Sequence, residues 1–288
     1  MRAATTFAPA KVNLYLHVGP VDAEGYHPIA SLGVFADVGD RVTVSPADRL
    51  GLQVTGPFAA ALSDAEDNLV LRALRRLGAR AGIGEPRLDV RLDKQLPVAS
   101  GLGGGSSDAG AALRAGRDAL SLDISDAELE AIAFEIGADG PLCLWGRAAV
   151  AEGRGERLSP APALPPLPAV LLNPGVPSPT GAVYRAYDDG PVADAVRAMP
   201  PGPLDDVRSA VAWLAGQRND LEAPAARLVG AIPEALALMS DAGARLTRLS
   251  GSGATVFGLF ETPDAAAIAA GSLSAQRPDW WSRATTLA

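Results

Sequence analysis

The sequence predicts an α+β chain, and three observations carry that prediction. Apolar and polar residues alternate in short runs near the N-terminus. Two Ser-x-x-Glu boxes each open a run of helical period. One glycine- and serine-rich stretch joins a strand-like run to an alanine-rich one. At 288 residues the chain can bury a large core in one or two domains.

Residues 11–18 alternate, with Val12, Leu14, Leu16 and Val18 on one side and Lys11, Asn13, Tyr15 and His17 on the other. A half-buried strand is predicted, with Lys11 and Asn13 aimed the same way. Gly25-Tyr26-His27-Pro28 follows as a loop, and a Tyr-His pair there is weak evidence by itself. Runs at 31–38 and 41–44 suggest an antiparallel meander. The box Ser63-Asp64-Ala65-Glu66, continued by Leu69, Ala73, Leu74 and Leu77, predicts a helix over about 65–81. Residues 87–92 alternate as a strand leading into the glycine stretch. The second box, Ser125-Asp126-Ala127-Glu128, opens a helix with Leu129, Ile132, Ala133 and Ile136 on its buried stripe, stopped by Gly137. Asp139 then stands alone in a turn, where capping the turn would account for it as well as chemistry would.

Further on, 148–151 reads as a strand and Glu152-Gly153-Arg154-Gly155-Glu156 as a tight turn. The five prolines within 159–168 suggest a crossing segment. Residues 169–172 predict a strand ending in Asn173-Pro174-Gly175, and a short helix carries Tyr184 and Tyr187. Pro200-Pro201-Gly202-Pro203 marks a loop, helices are predicted after residue 222 and over 233–242, and 249–260 runs from small residues into a strand.

Composition narrows the function. The net charge of −8 disfavours nucleic acid or an anionic membrane as partner. A single cysteine, Cys143, forms no internal disulfide, and no Cys/His cluster suggests zinc. The N-terminus lacks a signal-peptide layout and no apolar run reaches ~18 residues, so a cytoplasmic protein is expected. Lysine occurs only at 11 and 94 among 25 basic residues. A lysine among arginines can mark a site needing a compact ammonium, although for Lys94 chance explains the choice as well.

The strongest signal is Pro97-Val98-Ala99-Ser100-Gly101-Leu102-Gly103-Gly104-Gly105-Ser106-Ser107-Asp108-Ala109-Gly110, with five glycines and three serines in fourteen residues. Glycines feeding a helix present unpaired N–H groups and the positive end of the helix dipole to an anion such as polyphosphate. Ser106, Ser107 and Asp108 are residue types that cap helices, so the helix is predicted to begin there. No Gly-Lys pair exists for a Walker-type loop, and Ser106 stands where a dinucleotide fingerprint begun at Gly101 needs glycine.

This stretch resembles the phosphate loop of the GHMP small-molecule kinases. Ala8-Pro9-Ala10-Lys11-Val12-Asn13-Leu14, Gly25-Tyr26-His27, Gly137-Ala138-Asp139, Asn173-Pro174-Gly175 and Ser250-Gly251-Ser252-Gly253 extend the likeness over roughly residues 8–260. The resemblance implies two α+β lobes with the active site in the cleft between them. The N-terminal lobe, 1–157, would be of the ribosomal protein S5 domain 2-like type, and the C-terminal lobe, 158–288, α/β-plait-like. It implies ATP and Mg²⁺, and a small-molecule alcohol as acceptor. Among GHMP kinases, the Lys-x-Asn strand with Gly-Tyr-His is similar to the branch acting on a cytidine diphosphate-linked methylerythritol in non-mevalonate isoprenoid synthesis. A GHMP kinase for another alcohol, such as homoserine, is the alternative, and it would tolerate loss of Tyr26 and His27. A nucleotide-binding module or dehydrogenase would need neither Lys11 nor Asp139.

By the same resemblance Asp139 accepts the hydroxyl proton and Lys11 favours the emerging alkoxide. Val98, Ala99, Ser100, Gly101, Leu102, Gly103, Gly104, Gly105, Ser106, Ser107 and Asp108 would hold the nucleotide phosphates, Asn68 would touch adenine, and Ser107 would contact the metal. Asn13, Tyr26, His27, Thr180 and Tyr184 would form the cytidine pocket. No nucleic-acid or membrane partner is implied, and the chain would be a monomer or homodimer. Gly140 replaces the larger apolar residue usual before the proline, and Leu142-Cys143-Leu144-Trp145 the usual phenylalanine-rich run. Both changes would loosen the support of Asp139.

Overall fold

The computed structural model describes residues 3–62 and 68–288. In chain order the elements are β1 (Ala4–Val18), β2 (Ile29–Pro46), β3 (Gly51–Thr55), a 3₁₀ turn (Ala59–Ala61), α1 (Leu69–Arg80), β4 (Leu88–Asp93), α2 (Gly104–Leu120), α3 (Asp126–Ile136), α4 (Gly140–Trp145), β5 (Ala149–Gly153) and β6 (Arg157–Pro160). They continue as β7 (Leu167–Asn173), α5 (Thr180–Asp188), α6 (Val207–Ala215), α7 (Glu222–Leu228), α8 (Ala231–Asp241), β8 (Leu246–Leu249), β9 (Val256–Leu259), α9 (Pro263–Gln276) and β10 (Trp281–Leu287). The chain is α+β, as predicted. Among the described residues no helix is long and apolar enough to cross a membrane.

Two compact units form, and neither is a single run of chain. The first comprises Met1–Lys11, Val38–Val98 and Gly103–Gly146; the second comprises Val12–Asp37, Ala99–Leu102 and Arg147–Ala288. In the first unit β4 lies antiparallel to β2, from Arg41 opposite Asp93 to Pro46 opposite Leu88, and β3 runs parallel to β4. Alternate residues Val42 and Val44 of β2 and Leu88, Val90 and Leu92 of β4 are fully buried, the period-two signature of a sheet with one face on a core. That core is closed by Leu74 and Leu77 of α1, Leu113 of α2, and Leu129 and Ile132 of α3.

In the second unit β7 is buried along its whole length and pairs antiparallel with both β10 and β9, while β8 pairs with β9. A strand buried on both faces reads as a continuous apolar run, as Ala169-Val170-Leu171-Leu172 does. Ile232 and Met239 of α8, Leu273 of α9 and Phe260 complete this core. β5 pairs antiparallel with the first part of β2, setting Ile29 opposite Gly153, and with β6.

Four sequence expectations change. β1 is buried from residue 8 to residue 18 on both faces rather than half-buried, because its polar side chains find partners inside the protein. The runs at 31–38 and 41–44 are one strand, β2, since Gly39 allows the chain to pass close under Ala8 and Pro9 without a break. α1 opens at Leu69, where the Asn68 carboxamide accepts the Val70 N–H at 2.9 Å; the box at 63–66 lies outside the described residues. β3, α4, β6, α6, α9 and β10 were not anticipated, and the proline run at 159–168, expected to cross, lies wholly in the second unit with β6 ending and β7 beginning in it. The box at Ser125 forms in both halves and α3 ends at Gly137, as predicted.

Candidate active site

α2 starts at Gly104, two to four residues before the position the sequence suggested. Gly103 is the residue before it, in left-handed geometry (φ 62°), and no side chain caps the helix. Ser106, Ser107 and Asp108 fall inside the helix because glycine supplies a turn that serine and aspartate adopt at higher cost. The result suits an anion. A seventeen-residue helix leaves its first N–H groups without a side-chain acceptor, and the chain before it alternates hand, with Ala99, Gly101 and Gly103 all at positive φ.

Around this helix start the first unit gathers Lys11, Asp139 and Cys143. Lys11 Nζ lies 3.1 Å from Asp139 Oδ2, the lysine side chain 4% exposed and the carboxylate 45%. Asp139 precedes α4, yet its side chain makes no capping bond. The carboxylate is therefore not consumed by its turn. A Cβ on Gly103 would stand 3.1 Å from Lys11 Cε and 3.2 Å from Cys143 Sγ, so the glycine is what lets the glycine-rich loop close onto the lysine stem. Burial, with the Asp139 charge adding to it, pushes the Cys143 thiol up to about 12. It serves as packing, not as a nucleophile.

Gly140 does not loosen this corner. It is buried, and a Cβ there would run into the Ala133 carbonyl at the end of α3. The expectation of weakened support is corrected: glycine is the residue that lets α3 and α4 approach, and that approach fixes the turn bearing Asp139. Leu142, Cys143 and Leu144 are buried behind it.

Beneath the loop Lys94 is held between two buried carboxylates, 2.5 Å from Asp40 Oδ2 and 2.7 Å from Asp108 Oδ2. The other Asp40 oxygen accepts the N–H groups of Gln95 and Leu96 at 2.6 and 2.8 Å. Asp108 thus turns inward, away from solvent, and its Oδ1 has no hydrogen-bond partner. Burial raises the Asp108 carboxyl to about 7 against the opposing pull of Lys94. Sequence reasoning passed over Asp40 altogether, since nothing in a strand's alternation marks its tertiary partner. The scarcity of lysine had left Lys94 no better explained than by chance. Ser107 Oγ is likewise buried, with only the Cys143 thiol near it.

In the second unit the small-residue run 250–253 meets the start of the glycine stretch. Ser250 Oγ donates to the Gly101 carbonyl at 2.9 Å and accepts the Asn13 N–H at 3.2 Å, while the Thr255 N–H donates to the Ser100 carbonyl. Asn219 Nδ2 donates to the carbonyls of Leu249 and Gly251, both at 2.8 Å, and so sets that turn. Its role had no signal in the sequence beyond its neighbourhood.

The residues proposed for the cytidine pocket divide into small groups, all within the second unit. Asn13 is buried and donates to Ser31 Oγ at 2.7 Å. Thr180 Oγ1 bonds Ser252 Oγ at 2.8 Å. His27 packs its ring 5.0 Å from Tyr184 and 5.8 Å from Tyr187. Its Nδ1 donates to the Gly19 carbonyl, which can only accept, and Nε2 faces Asp188 Oδ1 at 3.4 Å. Tyr26 is 55% exposed and lies under the Arg154 guanidinium, 4.0 Å from the ring centroid. Val98 and Ala99 are exposed, Leu102 is buried, and Asn68 is spent on capping α1.

Comparison with known proteins bears on this arrangement. The chain matches the model for the GHMP kinases N-terminal domain over residues 68–147 and that for the GHMP kinases C-terminal domain over 193–279. It is 56% identical over 283 residues to a 4-diphosphocytidyl-2-C-methyl-D-erythritol kinase of Caulobacter vibrioides, covering 97% of both chains. It is 46% identical to the protein of that name from Methylorubrum extorquens over the full length of both. A crystal structure of 4-(cytidine 5'-diphospho)-2C-methyl-D-erythritol kinase superposes with a TM-score of 0.77 at 38% identity over 99% of each chain. A homoserine kinase from Cytophaga hutchinsonii, at 21% identity and a TM-score of 0.70, shares the fold. With both domain models matched and such identity along nearly its whole length, this chain belongs to the GHMP kinase family.

Proposed function

We propose that the protein transfers the γ-phosphoryl group of ATP to the 2-hydroxyl of 4-diphosphocytidyl-2-C-methyl-D-erythritol, giving the 2-phosphate and ADP, in non-mevalonate isoprenoid synthesis. The identity to relatives of that name supports the substrate, and it favours it over homoserine, where the likeness is one of fold. The observation that carries the chemistry is the Lys11–Asp139 pair at 3.1 Å beside the uncapped start of α2.

The reaction needs an alcohol to lose its proton as oxygen attacks phosphorus. The new O–P bond forms, the bond from γ-phosphorus to the bridging oxygen breaks, and that oxygen leaves on ADP. Asp139, with its carboxylate partly open to solvent and uncommitted to capping, accepts the proton. Lys11 supplies positive charge within reach of the oxygen that becomes negative. The N–H groups at the start of α2 and the backbone of 98–106 take the phosphates, the Ser107 N–H being bonded to the Gly103 carbonyl within the helix and Asp108 turned inward. Ser107, whose buried hydroxyl has only the Cys143 thiol beside it, suits Mg²⁺ carried on polyphosphate oxygens, since that cation binds through few protein oxygens. Bound there, Mg²⁺ would neutralise charge on the transferring group. Asn13, Tyr26, His27, Thr180 and Tyr184 hold the cytidine end, with aromatic faces for the base. With its Oδ1 committed to the α1 cap, Asn68 has its Nδ2 left for adenine.

The two family matches fall on either side of residue 157, in keeping with sequence lobes of 1–157 and 158–288, while the compact second unit also takes in Val12–Asp37, Ala99–Leu102 and 147–157. We place the enzyme in the cytoplasm, as a monomer or homodimer. ADP release from ATP and Mg²⁺, with the cytidylyl alcohol run beside homoserine and mevalonate, tests the proposal. Turnover with the cytidylyl alcohol alone is expected; turnover with another alcohol alone would keep the kinase and discard this pocket.

A further inference from the structure

Arg154 projects from the hairpin between β5 and β6, where Gly153 and Gly155 both take left-handed backbone and the Arg154 N–H donates to Glu156 at 2.6 Å. Pairing of Ile29 with Gly153 brings this turn beside the end of the 19–28 loop. The guanidinium then reaches over that loop. Its Nη2 donates to Asp22 Oδ2 at 3.0 Å and Glu24 Oε2 at 2.7 Å, and its plane covers the Tyr26 ring at 4.0 Å. Asp22 Oδ1 meanwhile accepts the N–H groups of Glu24 and Tyr26, both at 2.9 Å. One carboxylate thus folds the loop while the arginine ties it to the hairpin. Tyr26 remains more than half exposed beneath this cover, so ring surface is left for a ligand.

We propose that Arg154 is a positioning residue for the substrate base, clamping one face of Tyr26 so that the other is presented to a pyrimidine. The inference rests on the reading of Tyr26 as a stacking platform. A tyrosine on an exposed loop samples several rotamers, and a base that stacks on one of them pays for the selection; the clamp removes that cost before binding. Arginine suits the task better than lysine because its planar cation stacks on the ring while its edge still bonds two carboxylates. No other basic side chain of the described residues is found over Tyr26.

The test is steady-state kinetics of the full chain with Arg154→Gln, Arg154→Lys, Tyr26→Ala and the double variant Tyr26→Ala/Arg154→Gln. Arg154→Gln is expected to raise KM for the cytidylyl alcohol about two- to fivefold, the range of an exposed cation–π contact, with kcat and KM for ATP within about twofold. Arg154→Lys keeps the charge but not the plane and should rescue only partly. Tyr26→Ala should cost more, about fivefold upward, and the second substitution should then add nothing. An unchanged KM in Arg154→Gln, with Tyr26→Ala impaired, overturns the clamp and leaves the pocket intact. The same fold-change from Arg154→Gln in the Tyr26→Ala background overturns it too, by assigning Arg154 to the substrate directly. No effect of Tyr26→Ala removes the stacking platform itself, and the clamp with it.

Discussion

The two lysines of this chain sit in one unit, each on a carboxylate, and they do opposite things. Lys11 is buried, but its partner Asp139 is 45% exposed. Lys94 lies between Asp40 and Asp108, and all three are within a few per cent of complete burial. A carboxylate that faces solvent on one side can meet a substrate and take a proton from it. One enclosed with its cation can only hold structure, because desolvation has removed everything else it could react with. The difference explains why lysine is kept at both places in an arginine-rich chain. Each site places one compact ammonium against carboxylate oxygen.

Substitutions that swap the two outcomes test the contrast most directly. Asp139→Asn keeps the shape and removes the base, and kcat is expected to fall about 10²- to 10⁴-fold while the unfolding midpoint barely moves. A kcat within a few fold of the parent would transfer the proton's destination elsewhere. Lys94→Met should show the reverse pattern. It leaves two carboxylates buried without their cation, a loss of about 3–5 kcal/mol in urea unfolding. A variant as stable as the parent would mean that the carboxylates take protons at no cost. Lys11→Met, with one partner already in contact with water, should lose less stability than Lys94→Met and far more activity.

The same contrast shows what could be read from the chain. The glycine-rich turn before α2 and the helix at Ser125 were legible because local sequence determines them: glycines at a strand-to-helix turn, a serine with a glutamate three residues on. Lys11 and Asp139 were singled out by the family resemblance, since alone Asp139 read equally well as a turn cap. The buried triad was not legible. Asp40 sits in a strand whose alternation gives no reason for a charge, and its partners come from 54 residues away for Lys94 and further for Asp108. β10 and α9 were missed for a related reason. Residues 281–287 alternate weakly, and their strand exists because β7 offers an edge to pair with. The start of α2 was misplaced because capping chemistry favours serine and aspartate, whereas here a ligand's phosphates would take the part of the cap.

Gly140 separates the two sites by a smaller effect. Alanine there must displace the Ala133 carbonyl, so Gly140→Ala should cost about 1–3 kcal/mol of stability, as overpacking does. It should also lower kcat by shifting the turn that carries Asp139. Thermal unfolding and kinetics on one preparation distinguish the outcomes. Lost stability with full activity would uncouple the α3–α4 packing from the position of the base.

The last expected effect is a pH dependence belonging to the buried site. Asp108 titrates at about 7 in the folded protein, chiefly because burial penalises its charge, and near 4 when unfolded. Between those values the folded state holds a proton that the unfolded state has released. The number bound is therefore greater in the native form, and stability falls as pH rises from about 4 to 7 and is flat beyond. Asp108→Asn cannot titrate and escapes this loss. Its stability relative to the parent should therefore be more favourable at pH 7.5 than at pH 5, whatever the sign of the difference at either value. Urea unfolding of both proteins at the two pH values reads the change, and titrating groups remote from the Lys94–Asp40–Asp108 cluster cancel in the comparison. A relative stability independent of pH would show Asp108 to be ionised throughout, held so by Lys94. The two lysines would then differ in exposure but not in the proton economy of their partners.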